Sequence, residues 1–240
     1  MGKSTSKSKS SYSSKKSNNK LMLILFPVVL VVLLGLIFVL NQQSTEIGKQ
    51  QRDERVVDFK LEGQPILGSP EAKVTVVEFG DYKCPACKFW EDTNYKQLKA
   101  DFIDTGKIQF SFMNYPFLAP DSRTAALAGE AVYAHNPEAF WAYHEAIYAG
   151  QKDEREQWAT PEYLVEIAKK AVPSMDSAQL LKQIQDESYK KEVDQDLAFV
   201  QQAKPQGTPA FYINGKEYTG QWDSYPALKQ AIEDALAAVK

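Results

Sequence analysis

The chain has 240 residues, 44% of them hydrophobic, and a formal net charge of −3. Six of its 28 basic residues lie in residues 1–20, which hold no acid, so the rest of the chain sets 22 bases against 31 acids and is clearly acidic. That sign excludes a nucleic-acid binder, which would present a basic face, and a total of two cysteines excludes a scaffold stapled by several disulfides.

Residues 1–20 are mostly Ser, Lys and Asn and are predicted to be a disordered basic tail beside anionic lipid headgroups. Residues 21–40 read LMLILFPVVLVVLLGLIFVL and carry no charge. About 20 apolar residues suffice to cross a bilayer as a helix, and Pro27 and Gly35 are tolerated in membrane helices. The competing reading is a secretory signal peptide, whose apolar core is usually shorter, roughly 7–15 residues, and ends in a small-x-small cleavage site. Leu40, Asn41, Gln42 and Gln43 offer no such site, and no cysteine follows at which a lipoprotein could be processed. The expectation is an uncleaved anchor. Lys15, Lys16 and Lys20 precede it, while the charges after it are mixed in sign. The positive-inside rule then puts the N-terminus in the cytoplasm and the chain after residue 41 outside.

Residues 41–55 are polar and read as a linker, followed by one domain over residues 56–240. Val56, Val57, Phe59 and Leu61 suggest a short strand, and Gly63, Pro65, Gly68 and Pro70 a turn-rich stretch. Residues 74–79, VTVVEF, are β-branched and apolar on both faces apart from Glu78, the pattern of a central strand buried on both sides. Residues 84–104 change to helical spacing, with Phe89, Leu98 and Phe102 among charged residues and Gly106 as the stop. Residues 108–112, IQFSF, alternate with period two. Strand, helix and strand make a βαβ unit with parallel strands and a right-handed crossover.

Residues 121–202 show helix signals only. Asn136-Pro137-Glu138 and Thr160-Pro161-Glu162 each set a cap, a first-turn proline and an acid in order. Asp176 and Gln179 have capping-box spacing. Strand signals resume at residues 209–213, Asn214-Gly215 is a two-residue hairpin turn, and residues 216–219 are the return strand. Leu228, Ile232 and Leu236 stripe a final amphipathic helix. The predicted order is therefore βαβ, a helical insertion, then ββα.

The two cysteines bracket Cys84-Pro85-Ala86-Cys87 between the buried strand and the helix. Unpaired N–H groups and partial positive charge at a helix start favour a thiolate, the form that attacks disulfides. Pro85 suits the first turn, where its missing N–H costs nothing. Cys84 is then the exposed nucleophile and Cys87, one turn on, its resolving partner. An inert structural disulfide is a poor alternative, because so short a loop removes little entropy from the unfolded chain. Half a zinc site completed by His135 and His144 is another, but their spacing exceeds the usual three to five, and they read as ordinary residues of the insertion. Glu78, buried in its strand, should be hard to ionise and is a candidate proton acceptor for the buried thiol; the plainer alternative is a solvated carboxylate at a sheet edge. Thr208-Pro209 opens a strand after Gly207 and is a candidate for a cis bond, which is rare and usually retained for a purpose. Phe89 and Trp90 read as packing residues. Glu91, Asp92, Asp194 and Asp196 could bind a cation, but acids on helices are usually solvated, and no metal site is assigned.

The segments VVEFGDYKCPAC (76–87), NYPF (114–117) and GTPAF (207–211) resemble the thioredoxin superfamily, specifically its DsbA-like thiol–disulfide oxidoreductases. A helical block at residues 121–202 is similar to that branch's insertion, and the single span resembles its membrane-anchored members in Gram-positive bacteria. The resemblance covers roughly residues 60–240. It implies a thioredoxin fold, a cis Thr208-Pro209 bond facing Cys84 and holding substrate, and Glu78 as the family's buried acid. It also implies cysteine-containing exported proteins as substrates and a DsbB-like, quinone-linked membrane oxidase as partner, with no cofactor beyond the Cys84–Cys87 disulfide. Ala86 departs from the family's best-known motif, which has His there and so stabilises its thiolate further; the expectation is an oxidising protein, less so than DsbA. Cys-Pro-x-Cys favours an oxidase. A disulfide reductase serving cytochrome maturation, an isomerase, and a redox-silent peptide-binding or chaperone-like module are the alternatives.

Overall fold

The computed structural model describes residues 19–53 and 55–239; most of the basic tail lies outside them. The chain divides into two units between Gln50 and Gln51. What is described of the first is helix α1, Asn19–Asp53, whose last turn runs past that boundary and through most of the polar stretch read as a linker. Its segment Leu25–Thr45 has a mean hydropathy of 2.5 and is long and apolar enough to cross a membrane.

The second unit is built on a five-stranded mixed sheet of order β1-β3-β2-β4-β5. Strands β1 (Ile66–Gly68), β2 (Val74–Gly80), β3 (Ile108–Asn114), β4 (Ala210–Ile213) and β5 (Lys216–Glu217) follow in sequence. β2 and β3 run parallel, pairing Val76 with Phe110 and Glu78 with Phe112. β4 lies antiparallel on the other side of β2 and pairs Glu78 with Phe211. β2 is therefore interior to the sheet, and its continuous apolar character follows from packing on both faces.

Between β2 and β3 the chain winds through α2 (Pro85–Trp90) and α3 (Lys96–Leu98), each followed by a π-type turn, at Glu91–Tyr95 and Lys99–Ile103. Five helices follow β3: α4 (Pro120–His135), α5 (Pro137–Ala149), α6 (Pro161–Ala171), α7 (Ser177–Gln185) and α8 (Lys190–Ala203). Asn136 caps α5 by accepting from the N–H groups of Glu138 and Ala139, Thr160 caps α6, and Asp176 caps α7; each satisfies a donor the helix cannot. After the β4–β5 hairpin, turned by Asn214 and Gly215 at φ 49° and 79°, helix α9 (Tyr225–Ala238) buries Leu228 and Ile232.

Two local expectations are corrected. Residues 56–61 form no strand; Val56 makes a single bridge to Lys216. The segment is instead a strap, held by Val57 N–H donating to Gly215 O and by Phe59, packed edge-on against Phe79, Phe199 and Tyr212. The turn-rich stretch that follows holds strand β1, antiparallel to β3.

Candidate active site

Cys84 sits where β2 gives way to α2. Its backbone is extended, with φ −74° and ψ 118°, and its sulfur accepts from the Cys87 N–H at 3.4 Å. The helix start thus turns its unpaired N–H groups on the Cys84 sulfur because Pro85 opens the first turn and Cys87 falls one turn later. Both cysteines are free thiols, Cys84 6% exposed and Cys87 fully buried. Across from them the Thr208-Pro209 bond is cis, and the Cys84 thiol reaches the Thr208 carbonyl oxygen at 3.3 Å. The loop before β4 and the start of α2, 124 residues apart in the chain, therefore meet over one sulfur.

The two thiols are electrostatically unlike. Hydrogen bonding with the Cys87 thiol, then with Thr208 and the N–H groups of Cys87 and Ala86, outweighs burial and brings the Cys84 thiol down to about 6. Burial pushes the Cys87 thiol well above its usual range, and the Cys84 sulfur and Glu78 act in the same direction. Glu78 is buried on the interior strand, not solvated at an edge, and its Oε2 has no hydrogen-bond partner. Burial, then the Glu91 carboxylate, then Cys84 raise its pKa well above the ordinary carboxylate range. An acid with no compensating cation in an apolar site takes up a proton.

Several residues that hold this site escaped the sequence reading. Asp81 accepts from the N–H groups of Lys83, Phe117 and Leu118 at 2.8–3.1 Å, which ties the loop before Cys84 to the segment after β3. Lys83 is buried, ion-paired with Asp121 at 2.7 Å, and donates to Glu156 O. Gln151 donates to the carbonyls of Tyr82 and Cys84 at 2.7 and 3.1 Å. Lys83 and Gln151 clamp the active-site loop to the insertion, and Asp81 clamps it to the segment just before the insertion. Apart from the Asp81–Lys83 contact, their partners lie 36 to 73 residues away, so no local pattern announces them.

His144 and His135 do not share a site. His135 is exposed at the end of α4, whereas His144 is buried beside Tyr82 and Glu91. Trp90 is buried against Phe211 at 4.5 Å. Phe89, expected in the core, is 48% exposed and touches the edge of Trp222, because its helix position faces away from the sheet. A groove of about 380 Å³ runs beside the cis bond, lined by Thr208, Pro209, Phe211, Tyr218 and Trp222 among others. Of the helix acids, Asp92 and Asp194 pair with basic neighbours. Asp196 is buried, accepting from Gln64 and Asn114, and Asn114 also donates to buried Glu130.

The family model described as Thioredoxin matches residues 60–234. A probable disulfide bond formation protein D of Bacillus anthracis is 38% identical over 223 residues, 92% of this chain and 99% of that protein. The chain belongs to the DsbA-like thiol–disulfide oxidoreductases of the thioredoxin superfamily. Disulfide bond formation protein D of Bacillus subtilis is 39% identical over 176 residues, 73% of this chain and 78% of that one. The crystal structure of oxidised BdbD from Bacillus subtilis superposes with a TM-score of 0.73 at 37% identity, covering 77% of this chain and 99% of that chain. Chlamydia trachomatis DsbA shares the fold, with a TM-score of 0.66 at 21% identity over 76% of this chain and 94% of that one. With its family shown and a dithiol at the site that defines it, the chain is a protein disulfide oxidoreductase and works as a thiol–disulfide oxidase.

Proposed function

We propose that this oxidase is anchored by Leu25–Thr45, faces outward, and donates its Cys84–Cys87 disulfide to cysteine-containing exported proteins. The observation that carries this reading is the placing of the Cys84 sulfur at a helix start, 3.4 Å from the Cys87 N–H and 3.3 Å from the carbonyl of the cis Thr208-Pro209 bond, with Cys87 buried behind it. In a first step a substrate thiolate attacks the Cys84 sulfur. The Cys84–Cys87 bond breaks, its electron pair leaves on Cys87, and Glu78 hands Cys87 a proton. In a second step another substrate thiolate attacks the sulfur joined to Cys84. The substrate departs with its disulfide, and Cys84 leaves as a thiolate that needs no proton at neutral pH. A low leaving-group pKa speeds that departure.

Thr208 and Pro209 hold the substrate chain beside Cys84, and the neighbouring groove with Phe89 and Trp222 takes its apolar side chains. Pro85 starts the helix that points at the sulfur. Ala86 contributes its N–H but no side-chain donor, so the thiolate depends more heavily on Cys87 and Thr208. A DsbB-like quinone-linked membrane oxidase restores the disulfide by the reverse exchange, taking two electrons from the dithiol.

The test is substrate trapping in cells. Cys87→Ser removes the resolving thiol, so exported proteins should accumulate as mixed disulfides on Cys84, and Cys84→Ser should abolish them. Adducts on neither cysteine would sink the reading.

A further inference from the structure

The sheet packs a separate core on each face. Side chains alternate along β2, so Val77 and Phe79 point away from the Glu78 face, where they pack with Met113, Phe199, Ala203 and Tyr212. The strap of residues 55–61 closes this second core: Val57 is buried in it, and Phe59 and Leu61 pack on it. Its contacts gather on the two stems of one loop, residues 204–209, which leaves α8 and enters β4. On the incoming stem, Arg55 Nη1 donates to the Ala203 carbonyl at 2.6 Å, and the Phe59 ring meets Phe199 at 5.7 Å. On the outgoing stem, the Phe59 ring meets Tyr212 at 5.4 Å, and Val57 N–H donates to Gly215 O at 2.9 Å. Tyr212 ties the stems to each other, its hydroxyl donating to the same Ala203 carbonyl at 3.2 Å. The strap runs so close to the β4–β5 turn that a Cβ on Gly215 would lie 2.2 Å from Val57 O.

Two fixed stems leave the loop between them fewer placings. Near its end the Thr208 carbonyl lies 3.3 Å from the Cys84 sulfur. A mere cover for the apolar core would need Val57 and Phe59 alone. Arg55 adds a donor to the last carbonyl of α8, which has no partner within its helix, at the residue where the loop begins.

We propose that the strap staples the substrate-holding loop: Arg55 and Phe59 are positioning residues that fix both ends of residues 204–209 and so set Thr208 and Pro209 against Cys84. The stretch of chain that follows α1 thereby shapes the site. The inference rests on the reading of Thr208 and Pro209 as the residues that hold the substrate chain. A chain laid on the loop needs the loop in place, whereas a small dithiol needs only the Cys84 sulfur.

The test compares two reductants of the oxidised full-length protein in detergent, a reduced dithiol peptide and dithiothreitol, each by its second-order rate constant in a single turnover. The wild type should react faster with the peptide. Arg55→Met keeps the aliphatic stem and loses the donor; Phe59→Ala loses the ring. Each should slow the peptide reaction by about three- to tenfold, the equivalent of one ordinary hydrogen bond, and leave the dithiothreitol reaction within about twofold. Arg55→Lys keeps a donor and should restore most of the peptide rate. If Arg55→Met leaves the peptide rate unchanged, or slows both reactions alike, the inference is overturned and the strap is a cover only. A wild type that does not prefer the peptide would instead remove the reading of Thr208 and Pro209, and the inference with it. Arg55→Met leaves the apolar packing of the strap intact, so it carries the test even if Phe59→Ala does not fold.

Discussion

Replacing Cys87 by alanine removes the largest interaction favouring the Cys84 thiolate. In the wild-type chain that thiol lies at about 6 against a usual 9.0, and hydrogen bonding from the Cys87 side chain heads the causes, ahead of Thr208 and the two backbone donors. A hydrogen bond to a charged group contributes about 1.5–3 kcal/mol, and one pKa unit corresponds to about 1.4 kcal/mol. Losing a donor disfavours the charged form, so the Cys84 midpoint in Cys87→Ala should rise by about 1–2 units. It should not return fully to 9.0, because the backbone N–H groups of residues 86 and 87 remain. At neutral pH the wild-type thiol is then roughly 90% ionised and the variant roughly 10–50%. The assay is ultraviolet absorbance of the thiolate in the reduced protein across pH, checked by the pH dependence of alkylation at Cys84. A midpoint that stays near 6 would refute the assignment to Cys87. A return to 9.0 would show that the helix start and the cis-proline loop contribute nothing.

Two further outcomes are expected. Glu78→Gln should slow disulfide exchange while the thermal midpoint holds or rises, since the substitution spares the fold a buried acid; unchanged kinetics would remove Glu78 from the mechanism. Lys83→Met leaves Asp121 buried without its cation, and breaking one side of such a pair costs about 3–5 kcal/mol. Urea denaturation should show that loss, and a loss below about 1 kcal/mol would mean that the pair behaves like a surface ion pair.

The parts of this protein visible in its sequence are those whose cause is local. Residues 74–79 are apolar on both faces because β2 is covered on both sides, and the period of two at residues 108–112 marks β3. Asn136, Thr160 and Asp176 could be read as caps because a cap acts on the two or three residues after it. The dithiol was legible for the same reason, since strand, Cys-Pro and helix are contiguous. β1 was hidden because it is three residues long within a glycine- and proline-rich stretch and exists only by pairing with β3. The alternation at residues 56–61 resembled a strand, but its apolar side chains serve to pack against Phe79, Phe199 and Tyr212.

Lys83, Asp121, Gln151, Glu91 and His144 were missed as site residues because each depends on a partner across the insertion. A weaker signal was present. Glu91 falls on the same helical stripe as Cys87 and Leu98, and His144 between Tyr143 and Ile147, all buried. A titratable residue on an apolar stripe must find a partner or give up its charge, and that rule points to both before any coordinates are known.

The central claim is that the Cys84–Cys87 disulfide is a donor. The direct measurement is the reduction potential of the purified protein equilibrated against glutathione. Reference values are about −120 mV for DsbA and about −270 mV for thioredoxin, a gap of roughly 7 kcal/mol for two electrons. A stabilised Cys84 thiolate favours the reduced form and predicts a value nearer the DsbA end, offset toward reduction because Ala86 brings no side-chain donor. A value near that of thioredoxin would contradict the account and make the chain a reductase.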